Sequence, residues 1–491
     1  MLLCGIDVGT SSIKVSIVDS ANQKVIQTVS YPEVENTISS PEVGFAEQEP
    51  DHWWYCVKQA ILACNRSNTY NPKDIVAIGI SYQMHGLVVI DESNQVLRPS
   101  IIWCDSRAST IGNEAYKSIG QEFCHSHLLN SPGNFTASKL GWVKQNQPEI
   151  YQKIKYVMLP GDFIAGKLCG NYTTSPSALS EGIFWDFQTK SVSKEVKEYF
   201  GFADALFPEV RDVFCEHGQI SKEISNELGL NSSVKVTYKA GDQPNNALSL
   251  GVLEPGEIAT TAGTSGVVYG VSDELKFDKE NRVNSFAHVN YTKNLDRIGV
   301  LMCINGTGIL NRWMRDNFFS NLSYNEMNQL ASKAEIGSKG LVCMPFGNGA
   351  ERIFQNKKVG GSFTNLDFNQ HGSKEIIRAA QEGIAFSMVY GIELLGNVGI
   401  QPKRLKAGMA NMYLSDIFSS AIVNASQVTV DFCEGDGSFG AAIGAGIGLE
   451  IYRNSKEAVD NIKVIKSLHP DNQLKSQYSD AYQNWKESMS I

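Results

Sequence analysis

Apolar and β-branched residues fall in short blocks along this chain, and the blocks at 2–8, 12–19 and 24–31 predict three consecutive strands joined by tight turns. A helix is expected from Asp51 to Cys64, with Asp51 behind Pro50 as its N-cap, and Asp74–Ser81 reads as another strand. Strand-strand-strand-helix-strand is not the strict alternation that opens a dinucleotide-binding fold. Residues 100–240 mix several helices with polar loops. The pattern then returns, with strands around 257–271, 285–290 and 298–304 and a helix from about Thr307. A long helix follows at Lys374–Leu395, with apolar residues at helical spacing. After it come a strand at Arg404–Met409, a helix at Ser415–Asn424, a strand at Val428–Phe432 and a helix of small residues from Ser438.

The repeat is also one of words. Gly5-Ile6-Asp7-Val8-Gly9-Thr10-Ser11-Ser12-Ile13-Lys14 and Ile258-Ala259-Thr260-Thr261-Ala262-Gly263-Thr264-Ser265-Gly266 are each an apolar strand, a Gly-Thr-Ser turn and the start of a second strand. Small residues let a backbone approach phosphate oxygens, and the hydroxyls and N–H groups can bond them. Asp7, which can hold hydrated Mg²⁺, has no counterpart in the second copy. The pattern therefore predicts two similar half-domains around one nucleotide. Val234–Lys239 reads as a strand, Ala240-Gly241-Asp242 as its turn and Gln243–Leu250 as a helix, and the division is placed here, giving domains 1–245 and 246–491.

The 491 residues are too many for one core. A net charge of −9 with no Lys/Arg run argues against a nucleic-acid partner. The longest apolar run, Phe439–Leu449, is about half the ~20 residues that span a bilayer, so no membrane partner is expected. The N-terminus lacks a basic segment and is interrupted by Asp7, unlike a signal peptide. Ten scattered cysteines without a Cys-x-x-Cys read as reduced thiols of a cytoplasmic protein. His125 and His127 have no accompanying ligand pattern for a metal. Gly161–Leu168 imitates a P-loop, but Leu168 replaces the hydroxyl that would hold Mg²⁺, and the apolar interior reads as helix.

Three segments could carry chemistry. Asp242 lies after a strand at a helix mouth, where α/β folds bind ligands. It could accept a proton from a substrate hydroxyl or simply cap the helix. Gln83-Met84-His85-Gly86 follows a strand and suits a neutral polyol; a loop histidine on the surface is the plainer account. Trp103, Asp105 and Arg107 alternate as an aromatic wall, a carboxylate and a guanidinium, a set that fits a sugar. A buried tryptophan beside a salt bridge explains the same three residues.

These segments together resemble the FGGY carbohydrate kinases over nearly the whole chain, and within them the xylulose kinases. Asp7–Lys14 is similar to the family's first phosphate turn, Gln83–Gly86 to the sugar loop of the xylulose-kinase subgroup, and Arg98–Arg107 to the next sugar-side segment. Lys139–Asn146 resembles the signature around K-x-x-W, with Asn134 departing from it. Gly241-Asp242-Gln243 is similar to the catalytic Asp turn, Gly263–Gly266 to the second phosphate turn, and Gly408-Met409-Ala410-Asn411 to the adenosine loop, where Ala407 and Met409 stand in place of glycines. The resemblance implies two ribonuclease-H-like domains of the actin and hexokinase type, with ATP and sugar in the cleft between them. It implies Asp242 as general base, and Gln83, Met84, His85, Trp103, Asp105 and Arg107 around the sugar. It assigns Gly9, Thr10, Ser11, Ser12, Lys14, Gly263, Thr264, Ser265, Gly306, Thr307 and the adenosine loop to ATP, and Asp7 to Mg²⁺. The substrate expected is a ketopentose, D-xylulose before L-xylulose, ribulose or a deoxy-ketose. An actin- or Hsp70-like ATPase is the rival outside sugar metabolism, and a homodimer is left open.

Overall fold

The computed structural model describes residues 1–489 and arranges them around two mixed sheets. The first contains β1 (Leu2–Val8), β2 (Ile13–Asp19), β3 (Val25–Tyr31), β4 (Ile75–Tyr82), β5 (Phe214–Gln219) and β6 (Lys235–Gly241), in the order β5-β6-β4-β1-β2-β3. β1, β2 and β3 form an antiparallel meander, β4 runs parallel to β1 and β6 parallel to β4, and β5 closes the edge antiparallel. The second contains β7 (Glu257–Ala262), β8 (Gly266–Ser272), β9 (Asn284–Ala287), β10 (Ile298–Ile304), β11 (Arg404–Gly408), β12 (Val430–Cys433) and β13 (Val464–Leu468), in the order β9-β10-β8-β7-β11-β12-β13. Here too a meander, β7-β8-β10, is followed by two parallel strands, β11 and β12, and an antiparallel edge. The two sheets share one plan, with β9 added beyond β10.

The helices that position the site are α1 (Pro50–Arg66), α2 (Thr136–Asn146), α3 (Pro160–Cys169), α4 (Asp242–Ser249), α5 (Gly308–Phe318), α6 (Ser373–Gly396), α7 (Asp416–Ser426) and α8 (Gly437–Gly448). Pro50 occupies the first turn of α1 and Glu49 is its N-cap, so Asp51 lies one residue inside and does not cap it. Ser415 and Asp436 do cap, accepting the amides of Phe418 and Phe439. The expected 245/246 division falls within α4, which is continuous. The expected strand at 285–290 ends at Ala287, after which His288 turns inward to reach Tyr269 and the Val252 carbonyl. The edge strands β5 and β13 escaped sequence reading because they are largely solvated, with few apolar alternations to mark them. The P-loop imitation lies inside α3, whose Gly161 abuts the Tyr82 ring. Among the described residues, no helix is long and apolar enough to cross a membrane.

One helix joins the halves. α8 comes from the C-terminal half, yet it packs across β1, β4, β6 and β2 of the first sheet and against α4. Contact is backbone on backbone. A methyl carbon at Gly5 of β1 would sit 1.8 Å from the Ser438 carbonyl oxygen, and one at Gly79 of β4 would sit 1.9 Å from that of Ala441. On the helix, one at Gly448 would sit 1.9 Å from the Thr237 oxygen. Glycine in a strand marks such an approach. Gly79→Ala should therefore lower the unfolding free energy by about 1–3 kcal/mol through overpacking, read by denaturant melts. Gly396→Ala is its control, since an added methyl there meets nothing within 4 Å.

Candidate active site

The first Gly-Thr-Ser turn is wired to the loop after β4. Gly9 N–H closes the turn on the Ser12 carbonyl at 3.1 Å. The Thr10 hydroxyl donates to Gln83 Oε1 and accepts from Trp103 Nε1, each at 3.1 Å. Gln83 Nε2 donates in turn to Gln48 Oε1 at 3.0 Å, and Gln48 Nε2 to the Thr10 carbonyl at 2.8 Å. Gln83 is thus a buried brace between turn and loop. Ser11 and Trp103 are exposed, and Lys14 pairs with Asp436 at 3.3 Å. Asp7 lies at the end of β1, opposite Lys14 on β2 and Ser81 on β4. Burial raises its carboxyl above the usual range; the Ser81 hydroxyl opposes this, Asp436 adds to it and Lys14 opposes it. Gly437 leaves room for that carboxylate, since a methyl there would lie 2.3 Å from Asp7 Oδ2.

Met84 is buried and His85 half-buried in the same loop. His85 takes a left-handed backbone (φ 64°), a strained conformation for this residue of the kind that gathers at functional sites. Its Nδ1 bonds the Glu181 carbonyl at 3.0 Å, and its ring lies 4.8 Å from Phe135 and 5.5 Å from Phe286 of β9. Burial, with the Lys139 charge, lowers its pKa to about 3, so the imidazole is neutral. Lys139, on α2, donates to the His85 carbonyl at 2.8 Å and the Ile102 carbonyl at 3.0 Å, tying the loop to the segment that carries Trp103. Burial lowers its own pKa to about 7.

Asp105 and Arg107 are placed differently from the sugar-binding expectation. Arg107 Nη2 meets Asp105 Oδ2 at 2.7 Å and its Nη1 meets Glu47 Oε1 at 2.8 Å, while Arg98 takes the same Glu47 oxygen at 2.5 Å. Ala46 N–H donates to Asp105 Oδ2 at 2.6 Å, and the guanidinium lies 3.6 Å from the Phe45 ring centre. Both side chains are almost wholly buried. Their charges are consumed within the framework, as the salt-bridge part of the alternative had it, but Trp103 is exposed where that alternative expected it buried.

Asp242 is the first residue of α4, behind the N-cap Gly241, and its carboxylate takes hydrogen bonds from the first turn of the helix, including the Gln243 amide. Burial raises its pKa to about 7, the Asp7 charge adding to this and bonds from Gln243 opposing it. Glu181, which sequence reading passed over, sits beside it: a methyl at Gly241 would lie 2.5 Å from Glu181 Oε2 and 2.6 Å from Met84 Cγ. Burial and the Asp242 charge push the Glu181 carboxyl well above the usual range. Nothing in the local sequence Ser180-Glu181-Gly182 announces this proximity.

On the second sheet, the Gly263 and Thr264 carbonyls accept the amides of Gly308 (2.9 Å) and Ile309 (3.1 Å) at the start of α5. Beside this turn is a cavity of about 320 Å³, lined by Gly263, Thr264, Asn311, Tyr324, Asn328 and Asn411 among others. Asn311 Oδ1 is buried there without a partner. Gly306 and Thr307 turn inward instead: the Gly306 amide donates to Glu351 at 3.0 Å and the Thr307 hydroxyl to the Ile304 carbonyl at 2.9 Å. Gly408 borders open space, Ala410 N–H closes on its carbonyl at 2.9 Å, and Met409 is exposed. His125 and His127 bond Tyr116 and Asp186, and no cluster of three metal-ligating side chains occurs among the described residues.

The family model for the N-terminal domain of the FGGY family of carbohydrate kinases matches residues 2–249, and that for the C-terminal domain matches 258–448. The chain belongs to the FGGY family of carbohydrate kinases. This FGGY kinase is 28% identical to the xylulose kinase of Staphylococcus epidermidis, over 98% of its own length and 95% of that protein's. The crystal structure of a xyloylose kinase from Brucella ovis superposes with a TM-score of 0.90 at 25% identity, covering 99% of this chain and 98% of that one. A gluconate kinase from Lactobacillus acidophilus superposes equally well, TM-score 0.90, at 21% identity over 99% and 97%, and shows the shared fold alone. The protein is therefore a phosphotransferase of mixed α/β, two-domain architecture that uses ATP with Mg²⁺ to phosphorylate a carbohydrate, and the actin- or Hsp70-like ATPase reading falls. The residues fit those groups. The cavity beside Thr264, with apolar walls and the Asn311 oxygen unpaired among the described residues, suits a nucleoside, and the Asp7 carboxylate suits an ion that keeps most of its water shell.

If Arg107 belongs to the framework, Arg107→Ala should cost about 3–5 kcal/mol of stability by stranding Asp105 and Glu47, measured by chemical denaturation. A folded, stable variant with impaired sugar binding alone would return Arg107 to the substrate.

Proposed function

We propose that this kinase phosphorylates a ketopentose, converting D-xylulose to D-xylulose 5-phosphate, with Asp242 as general base. The observation that carries the reading is the junction of Asp242, a carboxylate with a pKa of about 7, with the Met84-His85 loop through Gly241, which packs against the Met84 side chain. The relatives named as xylulose kinases support the choice of sugar. Gluconate kinase and glycerol kinase share the fold, so another polyol is the second reading.

Residues 1–245 carry the sugar side and 246–491 the nucleotide side. Met84 and His85 shape the pocket with Trp103, and Gln83 holds the loop in register with the phosphate turn. Asp242 accepts the proton of the terminal hydroxyl as its oxygen attacks the γ-phosphorus of ATP, and the bond to the β-phosphate oxygen breaks. Thr10, Ser11, Ser12 and Lys14 with Gly263, Thr264 and Ser265 present donors to the phosphates, and Gly9, its own amide closed on Ser12, lets the turn approach them, where positioning and charge stabilisation supply most of the rate. Asn411 and the Gly408–Ala410 backbone border the adenosine. Mg²⁺, held through water by Asp7, neutralises phosphate charge when bound.

Asp242→Asn should lower kcat by roughly 10²–10⁴ while calorimetric sugar affinity stays near wild type. A near-normal kcat would remove Asp242 as base. Because the base must be ionised, kcat/KM for the wild type should rise with pH and level off above about 7, and a flat profile between pH 5 and 8 would count against the assignment. A coupled assay over D-xylulose, L-xylulose, ribulose, gluconate and glycerol tests the sugar: the reading requires D-xylulose to give the highest kcat/KM.

A further inference from the structure

Arg352 begins the short turn Arg352–Phe354, which packs against β10 in the second half. Its neighbour Glu351 is fully engaged, accepting the amides of Asn305 and Gly306 at 3.0 Å each. Arg352 is not. Its Nε and Nη2 are sealed from solvent and have no hydrogen-bond partner among the described residues. Asp278, whose charge bears on it, is already held by Arg282 through bonds of 3.0 and 2.9 Å. A buried guanidinium with two idle donors is costly unless something pairs with it.

The place of this side chain indicates what that partner is. Its charge acts on His85 of the first half. The His85 ring packs 5.5 Å from Phe286 on β9, and β9 pairs with β10, against which the Arg352 turn lies. Strand and turn thus bring the second half onto the loop 83–86. Asp242 answers to Asp7 and Gln243, on the phosphate-turn side. Arg352 thus stands on the second-half side of the loop that Asp242 borders through Gly241. Nε and Nη2 are the adjacent donors with which a guanidinium grips two acceptor oxygens at once.

We propose that Arg352 is a substrate-binding residue that recognises paired acceptor oxygens at the end of the sugar remote from the phosphorylated hydroxyl, namely the C2 carbonyl and O1 of a 2-ketose. The assignment rests on the ketopentose reading for the identity of those oxygens. Xylitol, which is D-xylulose with its carbonyl reduced, keeps the chain length and loses the planar acceptor.

Isothermal titration calorimetry of the full chain without ATP tests this, with D-xylulose, xylitol and D-gluconate as ligands and R352M, R352Q and R352K beside the wild type. Wild type should bind D-xylulose more tightly than xylitol. R352M should weaken D-xylulose by about 10- to 100-fold, with xylitol and Mg-ATP binding and Tm little changed. R352K should recover part of the loss, and R352Q stands in should R352M not fold. Unchanged D-xylulose affinity in a folded R352M or R352Q overturns the proposal. Tight gluconate binding by the wild type, lost in R352M, keeps Arg352 as the two-oxygen clamp and overturns the ketopentose reading instead. A wild type that binds none of the three overturns both.

Discussion

The position of the reacting groups depends on a helix lying flat against a sheet at backbone distance. α8 can approach β1, β4 and β6 because Gly5 and Gly79 in the strands and Gly444 and Gly448 in the helix present no side chain at the crossing. Its N-terminal Gly437 abuts Asp7, and Gly440 packs against Asn245 and Ser249 of the helix that begins with Asp242. Ser16 and Ser438 join across the same contact at 2.8 Å. One element of the C-terminal half thereby fixes two carboxylates of the N-terminal half. Any widening of that contact moves both.

The buried charges divide between framework and chemistry. Arg98 and Arg107 share Glu47, Arg107 also pairs with Asp105, and Lys239 meets Asp162 at 2.6 Å. Lys139 spends its protons on two carbonyls of the sugar-side loops. The charges of such groups are engaged within the framework around the site. Asp242 and Glu181 are exceptions, because burial raises both and neither forms an ion pair among the described residues. Burial pushes both carboxyls upward, Asp242 to about 7 and Glu181 well above the usual carboxylate range.

Much of the fold could be read from the chain, because strands of a half-buried meander carry apolar periodicity whatever their partners. The duplicated Gly-Thr-Ser hairpins, the strand into Gly241 and the small-residue helix after Asp436 all stand where their local patterns put them. β5 and β13 were illegible, since an edge strand is held by backbone bonds to its neighbour and needs no apolar face. Asp51 failed as a cap for a local reason: Pro50 already supplies the first helical turn.

Residue type and spacing by themselves determined that a strand–Gly-Thr-Ser–strand turn occurs twice, that Asp242 ends a strand at a helix mouth, and that Gln83–His85 follow another strand. Those are consequences of covalent order and local propensity. Tertiary structure alone decided that Asp105 and Arg107 neutralise each other, that Gly306 and Thr307 turn inward, that Glu181 lies against Gly241, and that Arg352 is left without a partner near His85. Whether a charged or polar group is available to a ligand depends on which distant residues have already satisfied it, and those partners are set by packing between segments up to hundreds of residues apart.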